Sequence, residues 1–590
     1  MRISGPTASG ERAVTAAPAL EHTSAAPARH PARPSMRGRG WLPWAILALA
    51  LVLFAVGEQT IPTAVPSQWG LLAVASPAYG ASILLAALAF AVAARRANAP
   101  AMVLSILVTI VVQRLPRAIA TDMPMYAWTY KHLGVVDYIQ HSHTLARDVD
   151  IYNGWPGLFA LTAWFSDLTG VSVTAIAHWF TPVFHVGFAV LVYGVARCWG
   201  LRSMVALTAT FLVTTLNWVE QDYFSPQATV MLLVAGVLML VGLSRDRPVG
   251  TLLIILLFGA ATVTHQLTPY WTLMVIGLLV ITRRMKPWWI VIPLAAMLGA
   301  YLLYNWDQAS QYTLFSSDVL DNAKTNIPTV GVLGQRVTSA GVRGLSAAMW
   351  VVTAIVLLVR WRRKQAFLAS GILALSPMLI LGGQNYGGEA VFRVFLYSLI
   401  GCCLVLAPVL IAALQGGIRR YAAGLAALGI ATALSAQGYT GSWYANVMPK
   451  SQVDTARVVL GQAELPAYLT AVAPVWPERS SWRYVDYARF DAHFDGLMIN
   501  AANLAGRHFI SQTDYEEFVY ALNSRPDAST YLIITDQMRV YSWYFGILPW
   551  DALPNLKEWL KRDTERWQPF FDGEGITVFV HKVDTDKLGK

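Results

Sequence analysis

Residues 392–420 read FRVFLYSLIGCCLVLAPVLIAALQGGIRR, and between Arg393 and Arg419 the chain carries no charged side chain. About 20 such residues cross the hydrocarbon of a bilayer as one helix, the form in which a single segment satisfies its own backbone in lipid. The arginine pair that closes the run, Arg419 and Arg420, is the kind of flank that stays on the cytoplasmic side.

Reading outward from this helix, apolar runs occur near 41–60, 70–94, 100–117, 171–196, 203–219, 226–243, 250–265, 267–282, 287–305, 345–359, 366–382, 392–414 and 420–437, thirteen candidate spans. Composition agrees. Of 590 residues, 55% are hydrophobic and 13% charged, and the mean hydropathy is +0.46, so apolar surface must face lipid. The expected fold is a polytopic α-helical membrane protein of about thirteen transmembrane helices.

The net charge of +10 is spread in short clusters between the apolar runs, which reads as an orientation signal and not as a nucleic-acid surface. If Arg29, Arg33, Arg37 and Arg39 are cytoplasmic, alternate loops carry Arg95 and Arg96, Arg197 and Arg202, Arg245 and Arg247, Arg283, Arg284 and Lys286, Arg360 to Lys364, and Arg419 with Arg420. Every cluster then faces inward. The expectation is a multi-pass plasma-membrane protein with a cytoplasmic N-terminus and an extracytoplasmic C-terminal portion. Residues 1–40, rich in Ala, Pro, Ser and Arg, have no apolar run fit for a signal peptide and are expected to form a disordered tail. Cys198, Cys402 and Cys403 encode neither a disulfide framework nor a zinc site.

Three regions follow: the 1–40 tail, a transmembrane domain over 41–437 with a large external loop at 118–170, and a domain over 438–590. In the loop, Trp155 to Phe165 is interrupted by Pro156 and Gly157 and is expected to lie at the interface as an amphipathic helix. Past residue 437 charged residues rise, and Tyr531 to Thr535 (YLIIT) and Ile576 to His581 (ITVFVH) read as short buried strands of a small extracytoplasmic α/β domain. No internal repeat is visible, which disfavours transporters built from inverted repeats.

Carboxylates beside spans are costly, and sorting the reactive residues by loop puts four groups on the outer side. The first is Asp122 in TDMP, with Asp137, Asp148 and Asp150 further along the long loop. Glu220, Gln221, Asp222 and Tyr223 in WVEQDYFSPQ form the second, on a tight turn expected to place both acids at the interface. His265 and Gln266 in THQLTP form the third, and Asn385, Glu389 and Arg393 the fourth. Singly, each fits a turn, a helix cap or a snorkelling side chain. Jointly they describe a wet cavity for a charged lipid head group and a second polar substrate.

Arg393 suits a lipid phosphate, because a guanidinium can hold it by paired hydrogen bonds. Asp122 suits a general base: sugar transfer from a lipid phosphate needs an acceptor hydroxyl to lose its proton, which a positioned carboxylate accomplishes. GxxxxGK[ST], GxGxxG after a strand, HExxH and GxSxG do not occur, leaving ATP-driven, dinucleotide, zinc-protease and serine-hydrolase chemistry without support.

With Asp122 shortly after a span, GWPGLFALTAWF (154–165) ahead of LTGVSVTAIAHWFTPVFHVGFAVLVYGVARCWG (168–200), and an external C-terminal domain, the chain resembles the GT-C superfamily of membrane glycosyltransferases over most of residues 100–590. QDYFSPQ (221–227) and THQLTP (264–269) look like runs of its actinobacterial members. The resemblance implies a hexosyl- or pentosyltransferase using a polyprenyl-phosphate sugar donor and a glycan, glycolipid or protein acceptor in cell-envelope biogenesis. It implies Asp122 as base, Arg393 as donor-phosphate ligand, and Asp148, Asp150, Asp222 and His265 as supporting residues for substrate or metal.

Two departures matter. Two extra spans precede the family-like core, and the loop holds several aspartates in place of one acidic pair, so Asp137, Asp148 or Asp150 are alternatives for the base. Asp148, Asp150 and Asp222 would offer hard oxygen ligands to a divalent cation if they converge. Alternative functions are a transporter or lipid-linked-sugar flippase, with ionisable groups near the bilayer midplane, and a glycan polymerase or ligase using a lipid diphosphate, for which Arg336 and Arg343 are candidates.

Overall fold

The computed structural model describes residues 40–244, 248, 250–310, 329–382, 389–500, 503–522 and 528–582. Each of the thirteen apolar runs falls on a helix. The first three are α1 (Leu42–Glu58), α2 (Pro77–Arg95) and α3 (Ala99–Arg114), and the long loop then adds α4 (Ala127–Ser142) and α5 (Gly157–Thr169). After these come α6 (Val173–Cys198), α7 (Ser203–Leu216), α8 (Pro226–Leu243), α9 (Thr251–Thr264), α10 (Thr268–Ile281) and α11 (Val291–Tyr304). The bundle closes with α12 (Leu333–Arg362), α13 (Leu368–Leu375), α14 (Ala390–Leu414) and α15 (Ile418–Thr440).

Among the described residues, five helices (α2, α6, α8, α12 and α14) are long and apolar enough to cross a membrane. The others are shorter or, in α15, carry Arg419 and Arg420 in the first turn. Local chemistry sets several starts: the Ser76, Asn98 and Ser225 side chains accept the first free N–H groups of α2, α3 and α8, and each of these helices has a proline in its first turn, where no N–H is needed. The run expected from residue 70 therefore opens with one 3-10 turn, Leu71–Ala73, and becomes an α-helix only at Pro77. In contrast, the run expected over 345–359 extends back to Leu333, its polar first half continuing the helix.

Burial ranks the helices. The most apolar window of α14 is 78% buried and that of α12 is 28%, so α14 is central and α12 peripheral. A Cβ on Gly401 of α14 would lie 2.4 Å from the backbone of Leu373 and Ala374, so a glycine is what lets α14 and α13 touch.

The 118–170 region is largely helical. In α5 Leu158, Phe159 and Ala163 are buried, whereas Leu161, Trp164, Phe165 and Leu168 are exposed, so large apolar side chains stand on both the buried and the exposed sides of this helix. The buried face does not join the main bundle core. It shares a hydrophobic cluster with α4 and with the C-terminal segment, so Phe159, Tyr130 and Val135 belong to the same cluster as Tyr484, Leu532 and Val578.

The C-terminal segment contains α16 (Lys450–Gln462), β1 (Ala467–Ala471), α17 (Tyr484–Phe490), α18 (Gln512–Leu522), β2 (Ser529–Thr535), α19 (Asp536–Phe545), α20 (Ala552–Arg562), β3 (Gln568–Gly573) and β4 (Ile576–His581). The strands form one sheet in the order β1-β2-β4-β3. β1 runs parallel to β2 (Leu469 opposite Tyr531), while β4 is antiparallel to both β2 (Ile533 opposite Val578) and β3. The two strands expected from YLIIT and ITVFVH are the buried central pair, as their uninterrupted apolar character requires.

Candidate functional site

The turn between α7 and α8 is where the sequence expectation and the structure part. Asp222 does not line a wet cavity: it is 1% exposed and sits at the centre of a polar network. One carboxylate oxygen accepts from Arg117 Nη1 at 2.8 Å. The other accepts from His185 Nε2 at 2.7 Å and from the Tyr439 hydroxyl at 2.9 Å, with Arg114 Nη1 at 3.7 Å. Both guanidinium groups lie over the Tyr439 ring, at 3.7 and 3.8 Å from its centroid. Arg114 also donates to the carbonyls of Thr214 and Asn217, at 3.1 and 2.7 Å, which have no helical partner where α7 ends.

Glu220 completes the charge balance. It lies 3.5 Å from Arg117 and accepts from the Ser442 hydroxyl at 2.7 Å. Two arginines thus face two carboxylates, the condition under which ionised groups persist without water. Burial alone would raise the Asp222 pKa, but Arg117, His185 and Arg114 outweigh it and hold the carboxyl below the usual range. Glu220 has the opposite balance: burial dominates and raises it.

Sequence reading missed Arg114, Arg117, His185 and Tyr439. A signal was present, since Arg114 and Arg117 close a span at the end opposite the basic loops, where an arginine needs a specific partner.

Gln221 connects this network to the fourth group. Its amide oxygen accepts from Arg393 Nη1 at 3.1 Å, and its amide nitrogen donates to Glu389 at 3.4 Å. Glu389 also pairs with Arg393 one helical turn away and keeps 38% of its side chain exposed. His265 joins from the third group. Its Nδ1 accepts the backbone N–H groups of Leu267 and Thr268 at 3.1 and 3.2 Å, capping α10, so the neutral ring carries its proton on Nε2. The Thr268 hydroxyl is 2.7 Å from that of Tyr397, one turn along α14 from Arg393, and Tyr397 stacks on Trp271 with ring centroids 4.7 Å apart. Gln266 is half-buried beside them, and Asn385 lies outside the described residues.

Asp122 lies five residues beyond Arg117, past the helical turn Pro116–Ile119, whose end is held by Thr121 donating to the Arg117 carbonyl at 2.7 Å. Its side chain is exposed and enters no ion pair among the described residues. Tyr223 packs between Tyr126, at 5.2 Å, and His132, parallel at 5.9 Å, and so ties the Asp222 turn to the start of α4. His132 is buried among these rings and donates from Nδ1 to the Phe224 carbonyl at 2.8 Å, and burial lowers its pKa to about 4.

The remaining aspartates of the long region face the C-terminal segment. Asp137 accepts from the Trp482 backbone N–H at 2.7 Å, and Asp148 pairs with Arg489 at 2.8 Å. Asp150 caps the short helix Ile151–Gly154 and pairs with Arg479 at 3.0 Å, and Arg479 also holds Asp495 at 2.7 Å. Asp148, Asp150 and Asp222 therefore do not converge as a ligand set. Each is held by a different arginine, and no group of three or more His, Cys, Asp or Glu able to hold a metal ion occurs among the described residues.

No family model matches the chain, and no curated protein does. Among solved structures, ArnT from Cupriavidus metallidurans in the apo state is similar with a TM-score of 0.42 at 11% identity, over 82% of this chain and 97% of that chain. The same protein bound to undecaprenyl phosphate gives 0.42 at 10% identity over the same shares. The Archaeoglobus fulgidus oligosaccharyltransferase complexed with Zn and sulfate gives 0.42 at 12% identity, over 84% of this chain and 72% of that one.

Proposed function

We propose that this chain is a GT-C-type membrane glycosyltransferase that moves a sugar from a polyprenyl-phosphate donor to an extracytoplasmic glycan, glycolipid or protein acceptor. The observation that carries the reading is the contrast between two carboxylates at one end of the bundle. Asp222 is saturated by Arg117, His185 and Tyr439, whereas Asp122, on the peptide that Arg117 anchors, is exposed. Asp122 is then the acceptor-activating base and Asp222 a positioning residue. Arg393, held by Gln221 and Glu389, faces the donor phosphate, and His265, Gln266, Glu220 and Tyr223 border the same end.

In this reading the thirteen helices span the membrane, with the C-terminal segment extracytoplasmic and docked on α4. Asp137, Asp148 and Asp150 serve that docking. A second reading, a transporter, draws on His185, an ionisable group inside α6 that is bonded to Asp222.

The test is transfer by purified protein in lipid, with a polyprenyl-phosphate sugar as donor. Asp122→Asn is expected to abolish transfer while expression and folding stay intact. Near-parental transfer by that variant removes Asp122 from the role. Uptake of labelled solute into proteoliposomes without any transfer favours the transporter.

A further inference from the structure

At one end of the bundle an apolar groove of about 580 Å³ lies between α10, α12 and α13, lined by Leu278, Leu357, Trp361, Phe367 and Ile372. Leu278 lies in the last turn of α10, Trp361 in the last turn of α12, and Phe367 just before α13. The two connections that follow these helix ends therefore flank the same mouth of the groove. Arg283, Arg284 and Lys286 belong to one, and Arg363 and Lys364 to the other, beside Arg362 at the end of α12.

All six cations are exposed, and none enters an ion pair among the described residues. Local sequence offers them no counter-charge, since neither 271–306 nor 329–388 contains an Asp or Glu. Trp288 and Trp289, 69% and 45% exposed, follow Lys286 after Pro287, as aromatic residues do near the edge of the hydrocarbon. An acyl-sized apolar trough that opens beneath unneutralised cations matches one ligand class in both halves.

We propose that this groove is a binding site for an anionic phospholipid, its acyl chain along Leu278, Leu357 and Ile372 and its phosphate between the two basic connections. A zwitterionic lipid fills the trough but leaves the cations uncompensated, and a free phosphate answers the cations but leaves the trough open to water. The site is independent of the glycosyltransferase reading and lies at the end of the bundle away from Asp222.

The experiment measures lipid retention by native mass spectrometry on the purified full chain in neutral detergent, with phosphatidylglycerol, phosphatidylcholine of the same chains, and glycerol phosphate as probes. Phosphatidylglycerol is expected to be retained in preference to phosphatidylcholine, and glycerol phosphate not at all. Arg284→Gln with Arg363→Gln is expected to lower phosphatidylglycerol retention by on the order of tenfold or more, at about fivefold per surface cation. Gly371→Leu puts a side chain into the trough, its Cβ meeting the Leu357 methyls at 3.6 and 3.7 Å, ordinary contact distances, and is expected to lower retention as well. Equal retention of the two phospholipids by the parent, binding of glycerol phosphate, or unchanged phosphatidylglycerol retention in either variant overturns the proposal.

Discussion

Replacing Asp222 by alanine removes the acceptor from three hydrogen bonds, at 2.8 Å from Arg117, 2.7 Å from His185 and 2.9 Å from Tyr439, all at a site closed to water. Hydrogen bonds to a charged group contribute about 1.5–3 kcal/mol each, so the gross loss is roughly 5–9 kcal/mol. Part is recovered. Arg114 keeps the carbonyls of Thr214 and Asn217, and Arg117 keeps Glu220 at 3.5 Å. A net destabilisation of about 3–5 kcal/mol is expected, as for a buried pair that loses one partner.

Asp222→Ala combined with Arg117→Met is expected to cost less than the sum of the single changes by at least about 1.5 kcal/mol, because the second substitution removes the charge that the first one stranded. The assay is SDS-driven unfolding in mixed micelles, followed by tryptophan fluorescence. The sign with pH follows from Asp222 being held below the usual carboxylate range. Its contribution is complete above the ordinary value near 4 and is lost as pH falls from there through the lowered folded pKa. An Asp222→Ala protein within about 1 kcal/mol of the parent, or strictly additive single changes, would refute the reasoning.

His132 gives a pH dependence at milder values. Its folded pKa of about 4 lies below the ordinary 6.5, so the unfolded chain takes up the proton first, and stability falls as pH drops from 6.5 towards 4, by at most about 3 kcal/mol. His132→Phe keeps an aromatic ring in the cage, loses the bond to the Phe224 carbonyl, and is expected to flatten that limb in the same unfolding assay; an unchanged acid limb assigns the effect elsewhere. Gly134→Ala tests the docking of α4 on the C-terminal segment. A Cβ there would lie 1.9 Å from the Arg479 carbonyl oxygen, so the backbones must separate at a cost of about 1–3 kcal/mol. Limited proteolysis across 474–483 should quicken, and identical cleavage rates in variant and parent would show that the contact does not control docking.

Much of the helical framework is legible in the chain itself. Apolar length is a local property, and the Ser-Pro and Asn-Ala-Pro sequences before α2, α8 and α3 mark helix starts through their own hydrogen-bonding chemistry. The same holds for the central strands of the sheet, whose apolar runs fit no other place than a buried sheet. Residue type also indicated that Asp122, Asp222, His265 and Arg393 are costly enough beside spans to need a task.

What only the tertiary structure decided is which partner each charge has. Asp222 and Asp122 are both acids next to an apolar run, yet one is enclosed by two arginines, a histidine and a tyrosine from α3, the turn at Pro116–Ile119, α6 and α15, and the other is exposed. Asp137, Asp148 and Asp150 look in sequence like alternatives to Asp122, and in the structure they meet residues more than three hundred positions away. Sequence periodicity determines which side of a helix is apolar, because that depends on neighbours along the chain. Pairing of charges depends on which helices adjoin, and that is settled only when the whole bundle packs.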